Sequence, residues 1–98
     1  MAEIIWSPES LTDLDAIAEF IARDSVARAA LFIERLIEAV ERLNGFPLSG
    51  RIIPEVGRKD CRELIYGSYR VLYRITENDV WIVAVVHSAR KWRLEFEL

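Results

Sequence analysis

Residues 61–76 read Cys61-Arg62-Glu63-Leu64-Ile65-Tyr66-Gly67-Ser68-Tyr69-Arg70-Val71-Leu72-Tyr73-Arg74-Ile75-Thr76. Tyr69, Val71, Tyr73 and Ile75 alternate with Arg70, Leu72, Arg74 and Thr76, the two-residue period of a β-strand with two unlike faces. Gly67-Ser68 is a turn dipeptide, so the strand-like run from Cys61 to Tyr66 folds back onto it as a hairpin. Downstream, Glu77-Asn78-Asp79 is a second turn. Residues 80–87 then form an almost wholly apolar run, as expected of a central strand buried on both faces, with Trp81 read as core. Upstream, Arg51-Ile52-Ile53 suits a further short strand, which Pro54 confines to a sheet edge.

The first half of the chain follows a different period. Glu3 to Trp6 is a short apolar strand. Ser7 is a good helix N-cap, Pro8 suits the first helical position, and Glu9 suits the positive end of the helix dipole. Leu11, Leu14, Ile17, Ala18 and Ile21 recur at helical spacing, predicting a helix over residues 8–22. After a break at Arg23-Asp24-Ser25, Val26, Ala29, Ala30, Ile33, Leu36, Ile37, Val40 and Leu43 form a second stripe. Asn44-Gly45 ends that helix and Pro47 prevents its resumption. So short a break makes the two helices an antiparallel hairpin. The predicted class is α+β: an N-terminal strand, a two-helix hairpin and an antiparallel three- to four-stranded meander. The helices cover one sheet face, and a short C-terminal segment is either helical or an extended arm.

Ninety-eight residues fit one domain spanning residues 1–98. An apolar content of 52% with 30% charged residues describes a folded chain, not a disordered one. The single cysteine, Cys61, cannot form an intrachain disulfide and suits a reducing cytoplasm. No signal peptide is recognisable. The longest apolar run is far short of the ~20 residues that span a bilayer, so no membrane association is expected. The net charge of −3 conceals an asymmetry. Residues 1–48 hold four arginines against nine acids, a balance of −5, while residues 49–98 hold nine basic residues against seven acids, a balance of +2. That polarises the surface but is too small to indicate nucleic-acid binding.

Several strings resemble the ParE/RelE superfamily of toxin–antitoxin toxins, in the same order and spacing. They are Trp6-Ser7-Pro8-Glu9-Ser10 with Asp13-Leu14, and Phe46-Pro47 followed by Ser49-Gly50-Arg51 and Pro54-Glu55. Arg62-Glu63-Leu64 with Gly67, Tyr69-Arg70-Val71 and Tyr73 is a third, and Val85-Val86-His87-Ser88-Ala89-Arg90 a fourth. The resemblance implies a plasmid-stabilisation type of toxin, neutralised by a cognate antitoxin, with two possible targets. One branch poisons DNA gyrase by binding. The other cleaves mRNA on the ribosome, often with two basic residues on the strand before the hairpin, an arginine in the hairpin, an arginine after the last strand and a C-terminal tyrosine. Arg70 and Arg90 match the two arginines. Cys61, Glu63 and Phe96 stand where the remaining three would be. The Arg62-Glu63-Leu64 string and the exit at His87 look more like the gyrase branch.

RNA cleavage needs a base, an acid and stabilisation of the charged phosphorane. Arginine holds phosphate well but stays protonated, and His87 is the only histidine, the side-chain type suited to carry a proton in catalysis. A ribonuclease would therefore rely on Arg70, His87 and Arg90. The plainer reading makes His87 a strand-end residue bonded to a neighbour, Glu63 a cross-strand ion-pair partner, and Tyr66, Tyr69 and Tyr73 packing residues. In the favoured reading no residue is catalytic. Arg62, Arg70, Arg74, Arg90, Lys91, Trp92 and Arg93 contact the antitoxin or the target, with Trp92 a candidate anchor between two cations. The segment from Arg90 to Arg93 is the expected determinant of gyrase capture, and the antitoxin would bury apolar anchors beside the helices within a hetero-oligomer. An inactive member serving only as an antitoxin partner is a third possibility. One Cys and one His cannot build a zinc site, and no cofactor or metal is implied.

Overall fold

The structure, a computed structural model, describes residues 2–90. The elements are β1 (Glu3–Trp6), α1 (Pro8–Ala22), α2 (Val26–Glu41), β2 (Arg51–Ile52), β3 (Cys61–Tyr66), β4 (Tyr69–Ile75) and β5 (Asp79–His87). They form one sheet in the order β1-β5-β4-β3-β2. The meander β2 to β5 is antiparallel throughout, and β1 pairs in parallel with the first half of β5. The α+β class and its element order are as the sequence predicts.

Local chemistry explains the helix ends. Ser7 caps α1 by accepting from the Ser10 N–H at 3.0 Å, and Pro8 occupies the first turn. Ser25 caps α2 by accepting from the Arg28 N–H at 3.1 Å. The expected end of α2 at Asn44 is corrected: the α-helix stops at Glu41 and residues Arg42–Asn44 tighten into a 3₁₀ turn. That turn anchors the start of the chain, because Asn44 O accepts from the Ala2 N–H and Asn44 Nδ2 donates to Ala2 O.

The helical hairpin lies on one sheet face. Leu14 and Ile17 of α1 and Leu36 and Val40 of α2 pack with Val71, Tyr73, Val80, Ile82 and Val85 in one buried cluster. Each such aliphatic side chain stabilises the fold by roughly 1.5–3 kcal/mol when fully buried. The opposite face is not left open. Residues 53–60 cross it as a strap, with Ile53 buried against Cys61, Leu72 and Ala84 and flanked by Val56, Val83 and Val86.

One irregularity shapes the site. Pairing between β4 and β5 jumps from Leu72–Ala84 to Tyr73–Ile82, so Val83 is an extra residue in a β-bulge. The bulge shifts the alternation of β5, so that both Ile82 and Val85 reach the helical face. It lies where β1 ends and the upper edge of β5 loses its parallel neighbour. Side chains of α1 and its cap take over there. Ser7 Oγ donates to Val83 O at 3.0 Å, and Asp13 Oδ2 accepts from the Val85 N–H at 2.9 Å. Such capping keeps a bare strand edge from recruiting another chain.

Burial raises the Asp13 carboxyl above its ordinary value, outweighing the bond from Val85. A raised folded-state value means that the folded chain holds the proton more tightly. The resulting stabilisation is complete below the unfolded value near 4 and is lost as pH rises through the folded one. Asp13→Asn keeps an acceptor for Val85 and never ionises. It is expected to be more stable than the parent at pH 7 and to converge with it below about pH 4 in urea unfolding.

Candidate partner-binding site

Arg70 is at the centre of the strap-covered face. It faces away from the helices, opposite Val86, and only 5% of it is exposed. Its Nε donates to Glu63 Oε1 at 2.8 Å. Its Nη1 and Nη2 donate to Glu55 Oε2 and Oε1 at 2.8 and 2.7 Å, the fork-to-fork geometry of an arginine–carboxylate pair. Nη1 also donates to the backbone carbonyl of Arg90 at 3.1 Å. Glu63, with a fully buried side chain, accepts from Arg51 on its other oxygen. Arg51, Glu63, Arg70 and Glu55 thus form an alternating ladder of charges across β2, β3, β4 and the strap. The Glu55 bond and the neighbouring Glu63 push the Arg70 guanidinium above its ordinary value despite burial, so its charge is permanent.

Arg70, expected as a contact for the antitoxin or the target, is in the isolated chain already held by carboxylates of the same chain. Glu63 as an ion-pair residue matches expectation, although it lies diagonal to Arg70 instead of opposite it. The reason is the spacing of the pair. Glu63 faces Leu72 and Ile65 faces Arg70 in the β3–β4 register.

A groove of about 410 Å³ opens over the ladder between Arg51, Arg70 and Arg90, with Pro54, Ile65 and Ala89 as apolar walls. Ile65 is half exposed there. The other expected contact residues scatter around it. Arg62 ties down the connector, donating to Lys59 O at 3.0 Å and Gly50 O at 2.9 Å. Arg74 sits further along the same face with Asp60 Oδ2 3.6 Å from its Nε. Arg90 is exposed at the end of the described chain. Lys91, Trp92, Arg93 and Phe96 lie outside the described residues.

His87 does not join Arg70. It lies on the helical side of the sheet, edge-on to Tyr69 with ring centres 5.6 Å apart, and Tyr69 in turn packs against Phe32 of α2. Its Nδ1 accepts from the Ala89 N–H at 3.1 Å. Arg70 and His87 therefore point to opposite faces of the sheet. Tyr66, Tyr69 and Tyr73 pack against the core, as expected.

Trp81 is a residue that the sequence reading misplaced. Its expected burial is corrected, because it is 40% exposed. It lines a second groove of about 270 Å³ with Arg74, Val83 and the start of α1. The signal was present: Val80 and Ile82 face the helices, so the residue between them must face the other way. Among the described residues, no group of three or more His, Cys, Asp or Glu could hold a metal ion. Among them also, no helix is long and apolar enough to cross a membrane.

Residues 4–92 match the family model described as the ParE toxin of type II toxin–antitoxin system, parDE. The chain belongs to the ParE toxin family. It is 37% identical over 92 residues to the putative toxin Y4kP of Sinorhizobium fredii, covering 91% of each chain. It is 32% identical over 91 residues to the toxin RelE2 of Caulobacter vibrioides, covering 92% of this chain and 99% of that one. A solved structure of a chromosomal ParDE system from P. aeruginosa superposes with a TM-score of 0.73 at 19% identity. That match covers 89% of this chain and 96% of that one, and supports the fold. Among the described residues of this ParE-family toxin, the one buried arginine, Arg70, is on the face away from the helical hairpin.

Proposed function

We propose that this ParE-family toxin acts in the cytoplasm by binding DNA gyrase, and that a cognate antitoxin neutralises it in a hetero-oligomeric complex. The observation that carries this reading is the separation of His87 from the Arg70 guanidinium. Arg70 is held by Glu55 and Glu63 on one sheet face, and His87 is on the other. A base and a phosphate clamp on opposite faces cannot act on one 2′-hydroxyl. A binding toxin needs no such arrangement. Arg74, Trp81 and Arg90 line or rim the two grooves beside the strap and suit contact with a protein surface. Lys91, Trp92 and Arg93 would extend that contact beyond the described residues. The chromosomal ParDE neighbour supports an antitoxin as the first partner.

The likeness to the toxin named RelE2 favours a second reading, a ribosome-dependent mRNA endoribonuclease. Expression of the chain without an antitoxin separates the two. Gyrase inhibition should give filamentous cells, an SOS response and loss of supercoiling by purified gyrase, with mRNA on ribosomes intact. Translation arrest with mRNA cut at ribosomes would overturn it in favour of the second reading. Soluble, folded protein with no effect on growth would overturn both in favour of an inactive antitoxin partner.

A further inference from the structure

Two carboxylates of the same chain hold Arg70 beneath the groove, and they are not equivalent. Glu63 belongs to β3, is paired through its backbone with Leu72, and has no exposed side-chain surface. Its carboxylate is enclosed and bonded to Arg51 on one oxygen and Arg70 on the other, so it has no solvent to turn into. Glu55 belongs to a turn of the strap and keeps 16% of its side chain exposed. The backbone of that turn is held independently of the Glu55 carboxylate. Val56 and Gly57 donate to Ile53 O at 3.1 and 2.9 Å, and Ile53 donates to Cys61 O at 2.9 Å. A rotation about the side-chain bonds of Glu55 therefore withdraws its carboxylate while the main chain stays in place.

Withdrawal would leave the forked Nη1 and Nη2 edge of Arg70 facing the groove, with Arg51 and Arg90 at the rim. Among the described residues, three guanidinium groups would then face one remaining carboxylate, Glu63. The walls beside the fork are apolar, and half-exposed Ile65 has room for a neighbouring side chain. The bidentate seat of Glu55 is itself a template for what fits: a planar, singly charged carboxylate.

We propose that Glu55 is a displaceable internal occupant, and that this groove takes an aspartate or glutamate side chain of a partner polypeptide, set next to an apolar side chain that packs on Ile65. The proposal deepens the reading above, since an antitoxin segment is the partner it would serve. The exchange swaps one carboxylate for another, so the arginines are never left without a counter-charge. Specificity comes from the apolar neighbour. Glu55 competes with the partner and lowers its apparent affinity by the fraction of time it occupies the fork.

The test uses the full chain and three probes: a capped octapeptide alternating leucine and glutamate, its leucine–glutamine counterpart, and inorganic phosphate. Glu55→Gln should bind the glutamate peptide on the order of tenfold more tightly than the parent by calorimetry. The same binding should shift the Arg70 Nε–H resonance. Glu55→Asp, which keeps the charge on a shorter arm, should fall between the two and serves if Glu55→Gln melts early. Glu77→Gln, an exposed turn variant with the same charge change, should behave as the parent. Equal affinity of the parent and Glu55→Gln would overturn the proposal. So would an equal gain in Glu77→Gln or with the glutamine peptide, or a gain confined to phosphate. Failure of gyrase inhibition alongside an intact Glu55→Gln gain would sink the proposed target and leave the groove standing.

Discussion

Arg70→Ala is expected to destabilise the protein by about 3 kcal/mol or more, and to lower Tm by more than about 10 °C. The substitution removes a buried side chain that answers both Glu55 and Glu63. Glu63, with no exposed side-chain surface, keeps among the described residues only the largely exposed Arg51 as counter-charge, and an imperfectly paired buried charge is the costly outcome. Loss of toxicity in that variant would therefore say nothing about chemistry. The paired replacement Arg70→Met with Glu63→Leu separates the effects. Both buried charges disappear together, similar volume is retained, and Glu55 and Arg51 can turn to water from their partly exposed positions. Thermal and urea unfolding should place the double variant within about 1–2 kcal/mol of the parent. With gyrase binding as the toxic act, the double variant stays toxic when expressed alone. With Arg70 as a phosphate clamp, it is folded and inert. A double variant as unstable as Arg70→Ala would show that the ladder specifies the strap, beyond merely being satisfied.

Much of this was legible in the residues, for identifiable reasons. The period-2 alternation of Tyr69 to Ile75 and the Gly67-Ser68 turn have one physical solution, and β3 and β4 sit where they were expected. Ser7-Pro8 and Ser25 are local signals that act over one helical turn, so both helix starts were readable. What was missed depends on long-range pairing. The strap follows Pro54 and has no period of its own, and it covers the second face only because Ile53 finds Leu72 and Ala84 across the sheet. The capture of Arg70 by Glu55 spans fifteen positions along the chain and no spacing rule reaches that far. The Val83 bulge is invisible in a continuous apolar run, since every residue there is apolar on either phase. The site was thus half legible: its arginine was identified, whereas the neutralisation of that arginine needed the fold.

Gly50→Ala is expected to cost about 2–5 kcal/mol, an effect comparable to the loss of Arg70 from a position with no charge at all. Gly50 joins the helical half to β2, and its backbone is in an ordinary extended conformation that any residue adopts. The objection to a side chain there is space. A Cβ would stand 2.5 Å from the Glu63 carbonyl oxygen and 2.9 Å from a ring carbon of Tyr73, and would collide with the Tyr73 hydroxyl. That hydroxyl is buried and committed on both sides. It accepts from the Gly50 N–H at 3.0 Å and donates to Pro47 O at 2.7 Å, pinning the connector to the centre of β4. Burial correspondingly pushes the Tyr73 phenol above its ordinary value, so it remains a donor across the accessible pH range. Relief by movement of the connector would break both bonds and pull on Glu63, the middle rung of the charge ladder. Adding Tyr73→Phe to Gly50→Ala removes the collision with the hydroxyl and leaves those with the ring carbon and the Glu63 carbonyl. The double variant should therefore recover less than half of the lost stability in urea unfolding. Full recovery would mean that the strand can yield at Glu63, and that the rigidity ascribed to the ladder is misplaced.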